Sequence, residues 1–111
     1  MAVGDRSEKR FCAPTQLGTS TTTLFTVSAS REAVVKQIIV TNTDTVDRTF
    51  SLAVGSAATA SNRLFSSLPV GANDTLVFDT AVVMAAAETL EGLADTASKV
   101  NVTVVGWEKE V

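Results

Sequence analysis

Residues 34–54 read VVKQIIVTNTDTVDRTFSLAV, and they carry the strongest indication of fold class in the chain. Its second half alternates, with Phe50, Leu52 and Val54 on one face, which is the period of a half-buried β-strand. Its first half does not alternate, since branched aliphatic residues fall on both faces: Val34, Val35, Ile38, Ile39 and Val40. With a polar turn at 42–45, the sequence predicts a hairpin whose first strand has both faces covered, by its own domain or by a neighbouring subunit.

Further strand signals recur along the chain at the spacing of a sandwich or barrel. We predict strands at 22–27, 63–70, 75–80, 82–84, 89–94 and 99–107. Pro69 lacks a backbone donor, so the strand at 63–70 is expected at a sheet edge. Residues 81–94 have helix-forming composition, but Gly92 and the β character of the flanking chain favour two short strands around a turn at 85–88. About eight short strands joined by short turns predict an all-β fold, an antiparallel, jelly-roll-like β-sandwich.

The chain of 111 residues has the length of one domain. Residues 1–20 differ from the rest, because they mix charge, Pro14 and only a short apolar patch. We expect an N-terminal arm at 1–20 followed by a β-sandwich domain at 21–111. Such an arm docks on its own domain or on a neighbour, and the alternative is a partly disordered terminus without a role.

Composition limits the partners. The net charge is −3 and basic residues cluster only around 6–10, which argues against nucleic acid as the main partner. No apolar run has the roughly 20 residues of a membrane helix, and no signal-peptide core follows the charged start, so we expect no membrane partner and synthesis in the cytoplasm. Cys12 is the only cysteine, so no intrachain disulfide can form, and its ordinary role is that of a small buried hydrophobe.

Residues suited to catalysis are scarce. The chain has no histidine, which removes Ser–His and Cys–His nucleophile pairs and the commonest metal ligand. Glu88 and Glu91 are the closest acidic pair that could act as a glycosidase pair, and acids near a turn are ordinarily solvated. The loop acids Asp44, Asp47 and Asp95 lack the spacing of a calcium loop and are expected to cap turns. We therefore predict no enzyme, no catalytic residue, no cofactor and no metal site.

Contacts between molecules are the more promising role for several residues. Phe11 and Cys12 form the apolar patch of the expected arm. Val34, Ile38 and Val40 belong to the strand that is expected to be covered on both faces. By alternation Trp107 falls on the face opposite to Val100, Val102 and Val104, where it marks an interface or folds over the open end of its own sandwich. The predicted interaction residues are Phe11, Cys12, Val34, Ile38, Val40 and Trp107.

Several segments together resemble small β-sandwich virion structural proteins of tailed bacteriophages, of the head decoration or cement type. They are TTLF at 22–25, the strand and turn at 35–45, RTFSLAVG at 48–55 and TLVF at 75–78. VVMAAAETL at 82–90 is similar to the family's strand followed by an Ala-Gly-Asp-Thr-type turn, with Ala87-Glu88 in place of the Gly-Asp form. The resemblance covers residues 20–107 and contains no invariant catalytic motif.

This resemblance implies a virion component made in the host bacterial cytoplasm. It implies a homo-oligomer, with a trimer favoured, that contacts the major capsid protein or other virion proteins and stabilises the head shell. Modest contacts per copy suffice when a closed oligomer engages several shell subunits. The alternative is a tail or baseplate accessory protein that binds a host receptor or glycan, although aromatic residues are only 5% of the chain and offer little sugar stacking.

Overall fold

The computed structural model describes residues 6–55 and 62–110. These residues form eight strands and no helix: β1 (Arg6–Gln16), β2 (Thr22–Thr26), β3 (Arg31–Asn42), β4 (Arg48–Val54), β5 (Arg63–Val70), β6 (Thr75–Met84), β7 (Thr89–Ala94) and β8 (Val100–Glu110). Accordingly, this part of the chain contains no helical segment capable of spanning a bilayer. The predicted all-β fold is confirmed.

Two four-stranded antiparallel sheets make up the sandwich. Sheet I has the order β1-β8-β3-β6 and sheet II the order β2-β7-β4-β5. The pairs β1–β8, β2–β7, β3–β6 and β4–β5 are those of one long hairpin that closes between β4 and β5. Rolling this hairpin up adds the contacts β3–β8 and β4–β7. The result is the double-sheet jelly roll that the sequence predicts.

Apolar side chains from alternate positions of both sheets fill the space between them. Along β8 the buried Val100, Val102 and Val104 alternate with partly exposed residues, as expected of a strand with one face on the core. Phe65 and Phe78 pack with ring centroids 4.7 Å apart and join the two sheets along the β5–β6 side. This apolar core between the sheets holds the fold together.

The predicted hairpin at 34–54 is wrong in its pairing, although both of its strands exist. β3 lies in sheet I and β4 in sheet II, so residues 43–47 cross from one sheet to the other. Asn42, which is fully buried, holds this crossing. Its Nδ2 donates to the carbonyls of Val46 at 2.9 Å and Val70 at 3.0 Å, and its Oδ1 accepts from the Asp44 N–H at 2.9 Å.

A β-bulge at Lys36 explains why the first half of that stretch does not alternate. The register of β3 shifts between Val35 and Gln37 against both of its neighbours. Val35 points into the core before the shift and Ile38 after it, so the inward positions change from odd to even numbers. The extra residue moves the strand by one position, as bulges do.

The described part of the N-terminal segment, from residue 6 onward, belongs to the sandwich. β1 pairs with β8 from Arg6 opposite Lys109 to Gln16 opposite Asn101, and Cys12 and Leu17 belong to the core. The described part of the expected arm thus packs on its own domain, one of the two placements left open, and the boundary at residue 20 stays a prediction. Residues 1–5 of the arm lie outside the described residues.

The region after β5 also differs from expectation in one respect. The strands predicted at 75–80 and 82–84 are a single strand, β6, because side chains alternate without interruption across Ala81. The predicted turn at 85–88 is present before β7: the Glu88 N–H donates to the Ala85 carbonyl at 3.2 Å, and Ala87 has a φ of 69°. The strand count of eight is right because β1 replaces the strand lost by this merger.

Candidate interaction surface

The outer face of sheet I carries an apolar surface. Trp107, Val34 and Val83 lie side by side in one cross-strand row, on β8, β3 and β6. Val77 and Ile39 pair in a second row of the same face. We call the apolar residues of this face the outer patch: Val34, Ile39, Val77, Val83, Val105 and Trp107.

Exposure within the outer patch rises toward the edge of the sheet. Val34, in a central strand, is 7% exposed, whereas Val77 and Val83, on the edge strand β6, are 54% and 63% exposed. Trp107, Ile39 and Val105 are partly buried. The most accessible apolar side chains of this face therefore lie along β6.

A concavity of about 350 Å³ lies on sheet I near β1, lined by Glu8, Lys9, Arg10, Lys36, Val105 and Gly106. Two bulges create it. The register of β1 shifts between Arg10 and Cys12, and that of β3 shifts at Lys36, both against the same short segment of β8. Bulges bend a strand and redirect side chains. Here they bring basic residues from both flanking strands around Val105.

The cations of this concavity differ in their partners. Lys9 Nζ lies 3.4 Å from Glu108 Oε1, a buried carboxylate that Arg31 also binds. Within residues 6–55 and 62–110, neither Arg10 nor Lys36 takes part in an ion pair. Glu8 also lines the concavity, so Arg10 and Lys36 leave it with an excess of one positive charge on a chain of net charge −3. Such a surface favours an acidic partner segment through charge complementarity.

The predicted interaction residues divide into two groups. Cys12, Ile38 and Val40 are buried in the core between the sheets, and Phe11 stacks on Phe25 of sheet II with centroids 4.7 Å apart. Val34 and Trp107 are adjacent on the outer face of sheet I. The structure therefore brings two of the six residues together on one outer surface.

Sequence reasoning missed the basic half of this surface. Arg10 and Lys36 are far apart in the sequence and meet only because both strands pair with β8. A usable signal was present at Lys36, which interrupts a run of aliphatic residues. A charged residue inside such a run marks a place where the strand's alternation restarts.

A second concavity, of about 150 Å³, lies on sheet II beside the edge strand β5. β5 shifts register opposite Ser51, and Ser67 takes a φ of 49° there. Ser51 Oγ accepts from the Ser67 N–H at 2.9 Å and from Arg63 Nη1 at 3.3 Å, while the buried Arg63 Nε has no partner in the described residues. Asp95 completes a polar lining.

The acidic residues considered for catalysis or metal binding have structural partners. Glu88 Oε1 accepts from the Ala85 N–H at 2.7 Å and caps the turn before β7. Glu91, 2% exposed, accepts from Thr23 Oγ1 at 2.9 and 2.8 Å. The hydrogen bond from Arg48, followed by that from the Thr45 N–H, holds the pKa of Asp44 below its usual value. No group of three potential metal ligands occurs in the described part of the chain.

Comparison with known proteins gives a distant structural similarity. No protein-family model and no curated protein matches the chain. The chain is similar to one in the structure of infectious bursal disease virus Gt strain, with 8% identity and a TM-score of 0.47 over 94% of this chain and 32% of that chain. It is also similar to one in the structure of the Gx strain, with 9% identity and a TM-score of 0.45 over 96% and 31%. The chain thus spans about a third of those solved chains, and a similarity this distant does not indicate a shared function.

Proposed function

We propose that the protein is a non-enzymatic structural component of a tailed-phage virion, a capsid decoration (cement) protein that oligomerises on the head shell and stabilises it. The observation that carries the proposal is the outer face of sheet I, where the outer patch adjoins Arg10 and Lys36, which form no ion pair within the described residues. Two further facts support it. Viral capsid domains are one of the recurrent uses of the jelly roll, and the chain has no histidine for general acid–base chemistry.

The surface suggests how attachment works. An acidic segment of the major capsid protein would lie across sheet I, with carboxylates near Arg10 and Lys36 and apolar side chains on Trp107 and Val105. Each such contact is small, because few side chains of the outer patch are accessible. Repetition over an oligomer raises the total affinity without new contacts.

The test is binding to empty phage capsids, measured by co-sedimentation and by imaging the decorated particles. We expect density at repeated sites on the shell and a greater resistance of the shell to heat. Arg10→Glu combined with Lys36→Glu should lower occupancy at least tenfold, because two attractive contacts become repulsive. Lys99→Glu, an exposed cation in the turn before β8, is the matched control and should bind like the wild type. Absence of binding to shells, or equal binding by the double variant, contradicts the proposal.

The second candidate is a tail or baseplate accessory protein that binds a host receptor or glycan. The polar concavity beside β5 favours it, because Arg63 and Asp95 offer hydrogen bonds of the kind that orient a small polar ligand. Antibody labelling of intact particles separates the two roles by position. Label on the tail, together with loss of adsorption in Arg63→Ala, supports this second candidate over the first.

A further inference from the structure

The free edge of β6 differs from the other three sheet edges. An unpaired edge strand is a template for pairing with another chain, and proteins protect such edges with prolines, charges or short strands. β1 contains Pro14, Lys9 and Arg10, β2 has only five residues, and β5 contains Pro69 and Arg63. β6 has ten residues, no proline, and Asp79 as its only charge.

β6 also presents apolar side chains on both faces. Val77 and Val83 on the outer face are the two most exposed large hydrophobic residues of the described chain. On the inner face, Leu76, Phe78 and Val82 are only partly buried against the core. The alternation of the two sets is unbroken over the strand. Thr80 and Ala81 of β6 lie opposite the single residue Lys36 of β3, so β6 has a bulge there, and the inward and outward sets continue on both sides of it.

The sequence of β6 is complementary to itself about Thr80. When two copies pair antiparallel with Thr80 opposite Thr80, Val77 lies opposite Val83 and Phe78 opposite Val82 of the second copy. Asp79 then lies opposite Ala81 rather than opposite another carboxylate. Aromatic–β-branched and Thr–Thr pairs are favourable across strands, whereas like charges are unfavourable. Centring the pair on Asp79 instead would place the two carboxylates face to face.

We infer that a second copy of this chain pairs with β6, antiparallel and centred on Thr80, to form a two-fold dimer. Sheet I of each copy then continues into that of the other. The contact uses the same residues on both copies, as a two-fold interface requires, and its main-chain pairing is that of β-strand addition. The pairing itself is independent of the proposed function. Only its biological use rests on that function, since the joined outer patches of two copies would offer the shell one longer apolar surface.

The first test is the mass of the purified protein in solution, with variants of Ala81. This residue is exposed and lies opposite Asp79 of the second copy, so changing it alters the pairing and not the core. Ala81→Lys creates two opposite-charge pairs per dimer and should lower the dissociation constant roughly 2- to 30-fold. Ala81→Asp creates two like-charge pairs and should raise it by a similar factor. A monomeric wild type, or identical behaviour of the two variants, overturns the inference.

The second test fixes the register by disulfide formation. Opposed residues of antiparallel strands have Cα atoms about 4.5–5.5 Å apart, which a disulfide can bridge. A mixture of Val77→Cys and Val83→Cys proteins should therefore form a covalent heterodimer on mild oxidation. Each variant alone should not, because its own cysteines would be about 20 Å apart. Cys12 is buried and lies on β1, at the opposite edge of sheet I, and so does not compete.

The two proposals fail in different ways. A dimer with the expected crosslink that does not bind capsids leaves the pairing intact and overturns the proposed role. A protein that decorates shells but crosslinks only as Val77→Cys with itself, or is a trimer in solution, overturns the pairing and leaves the role intact. A trimer would need head-to-tail contacts, in which β6 meets a different strand.

Discussion

Gly106 of β8 lies so close to Val34 of β3 that a Cβ atom on Gly106 would overlap the Val34 carbonyl oxygen. The same atom would stand 3.0 Å from Cε2 of Phe11. The contact lies between the bulges of β1 and β3, where both neighbouring strands shift against β8. Only a residue without a side chain fits between them.

Gly106→Ala should therefore destabilise the protein by about 3 kcal/mol, because β3 must move and its pairing with β8 be disturbed. Urea unfolding followed by circular dichroism measures this change. Gly18→Ala is the control, since a Cβ there meets nothing within 4 Å. Equal unfolding midpoints for the two variants would show that β3 accommodates the added methyl group without a loss of stability.

Asn42→Ala should destabilise the protein by about 3 kcal/mol. The change removes the donors to the carbonyls of Val46 and Val70 and leaves buried polar groups without partners. Thr45→Ala, an exposed change in the same crossing, should stay within about 0.5 kcal/mol of the wild type. A small effect of Asn42→Ala on the unfolding free energy would mean that water replaces the amide.

Removing residues 1–20 should unfold the protein rather than release an appendage. The deletion takes away β1, exposes the free edge of β8 and removes Cys12 and Leu17 from the core. Removing residues 1–5 keeps all of β1 and is expected to leave the fold intact. Resistance to protease and the circular dichroism spectrum distinguish the two; a protease-resistant, β-rich product of the longer deletion would contradict the expectation.

The Asp44–Arg48 pair should make the stability of the fold depend on pH in the acid range. Arg48 lowers the pKa of Asp44 in the folded state relative to an unfolded value near 3.9. Its contribution to stability is therefore present above about pH 4 and is lost as the pH falls through the folded pKa. In Arg48→Gln the pKa of Asp44 should rise toward the usual value, which NMR titration of the carboxyl carbon measures. An unchanged titration would assign the lowering to the Thr45 N–H instead.

Short sequence patterns were sufficient to predict some of the strands. β5 and β7 occupy the residues expected of them, because turn residues flank each strand in the sequence. β1 was missed since it is an edge strand with a solvated outer face and two register shifts, so its sequence lacks a regular period. The β3–β4 pairing was wrong for another reason. A five-residue connection can close a hairpin or cross between sheets, and the choice depends on the buried Asn42.

The candidate surface was predictable in its apolar half only. Alternation along β8 placed Trp107 opposite the core valines, and the structure confirms that placement. The neighbourhood of Arg10 and Lys36 depends on how far two strands slide against β8, which composition does not encode. The self-complementary order of β6 is visible in the sequence, but its meaning appears only once β6 is known to be an edge.

The bulge at Lys36 exchanges the inward and outward positions of all the residues of β3 that follow it. Beyond it, Ile38, Val40 and Asn42 face the core only because that extra position is present. The side chain at position 36 is exposed, so replacing it leaves the packing between the sheets unchanged. Deleting residue 36 would instead turn the inward side chains of the rest of the strand toward solvent. Related chains should therefore agree in the spacing of residues around this position.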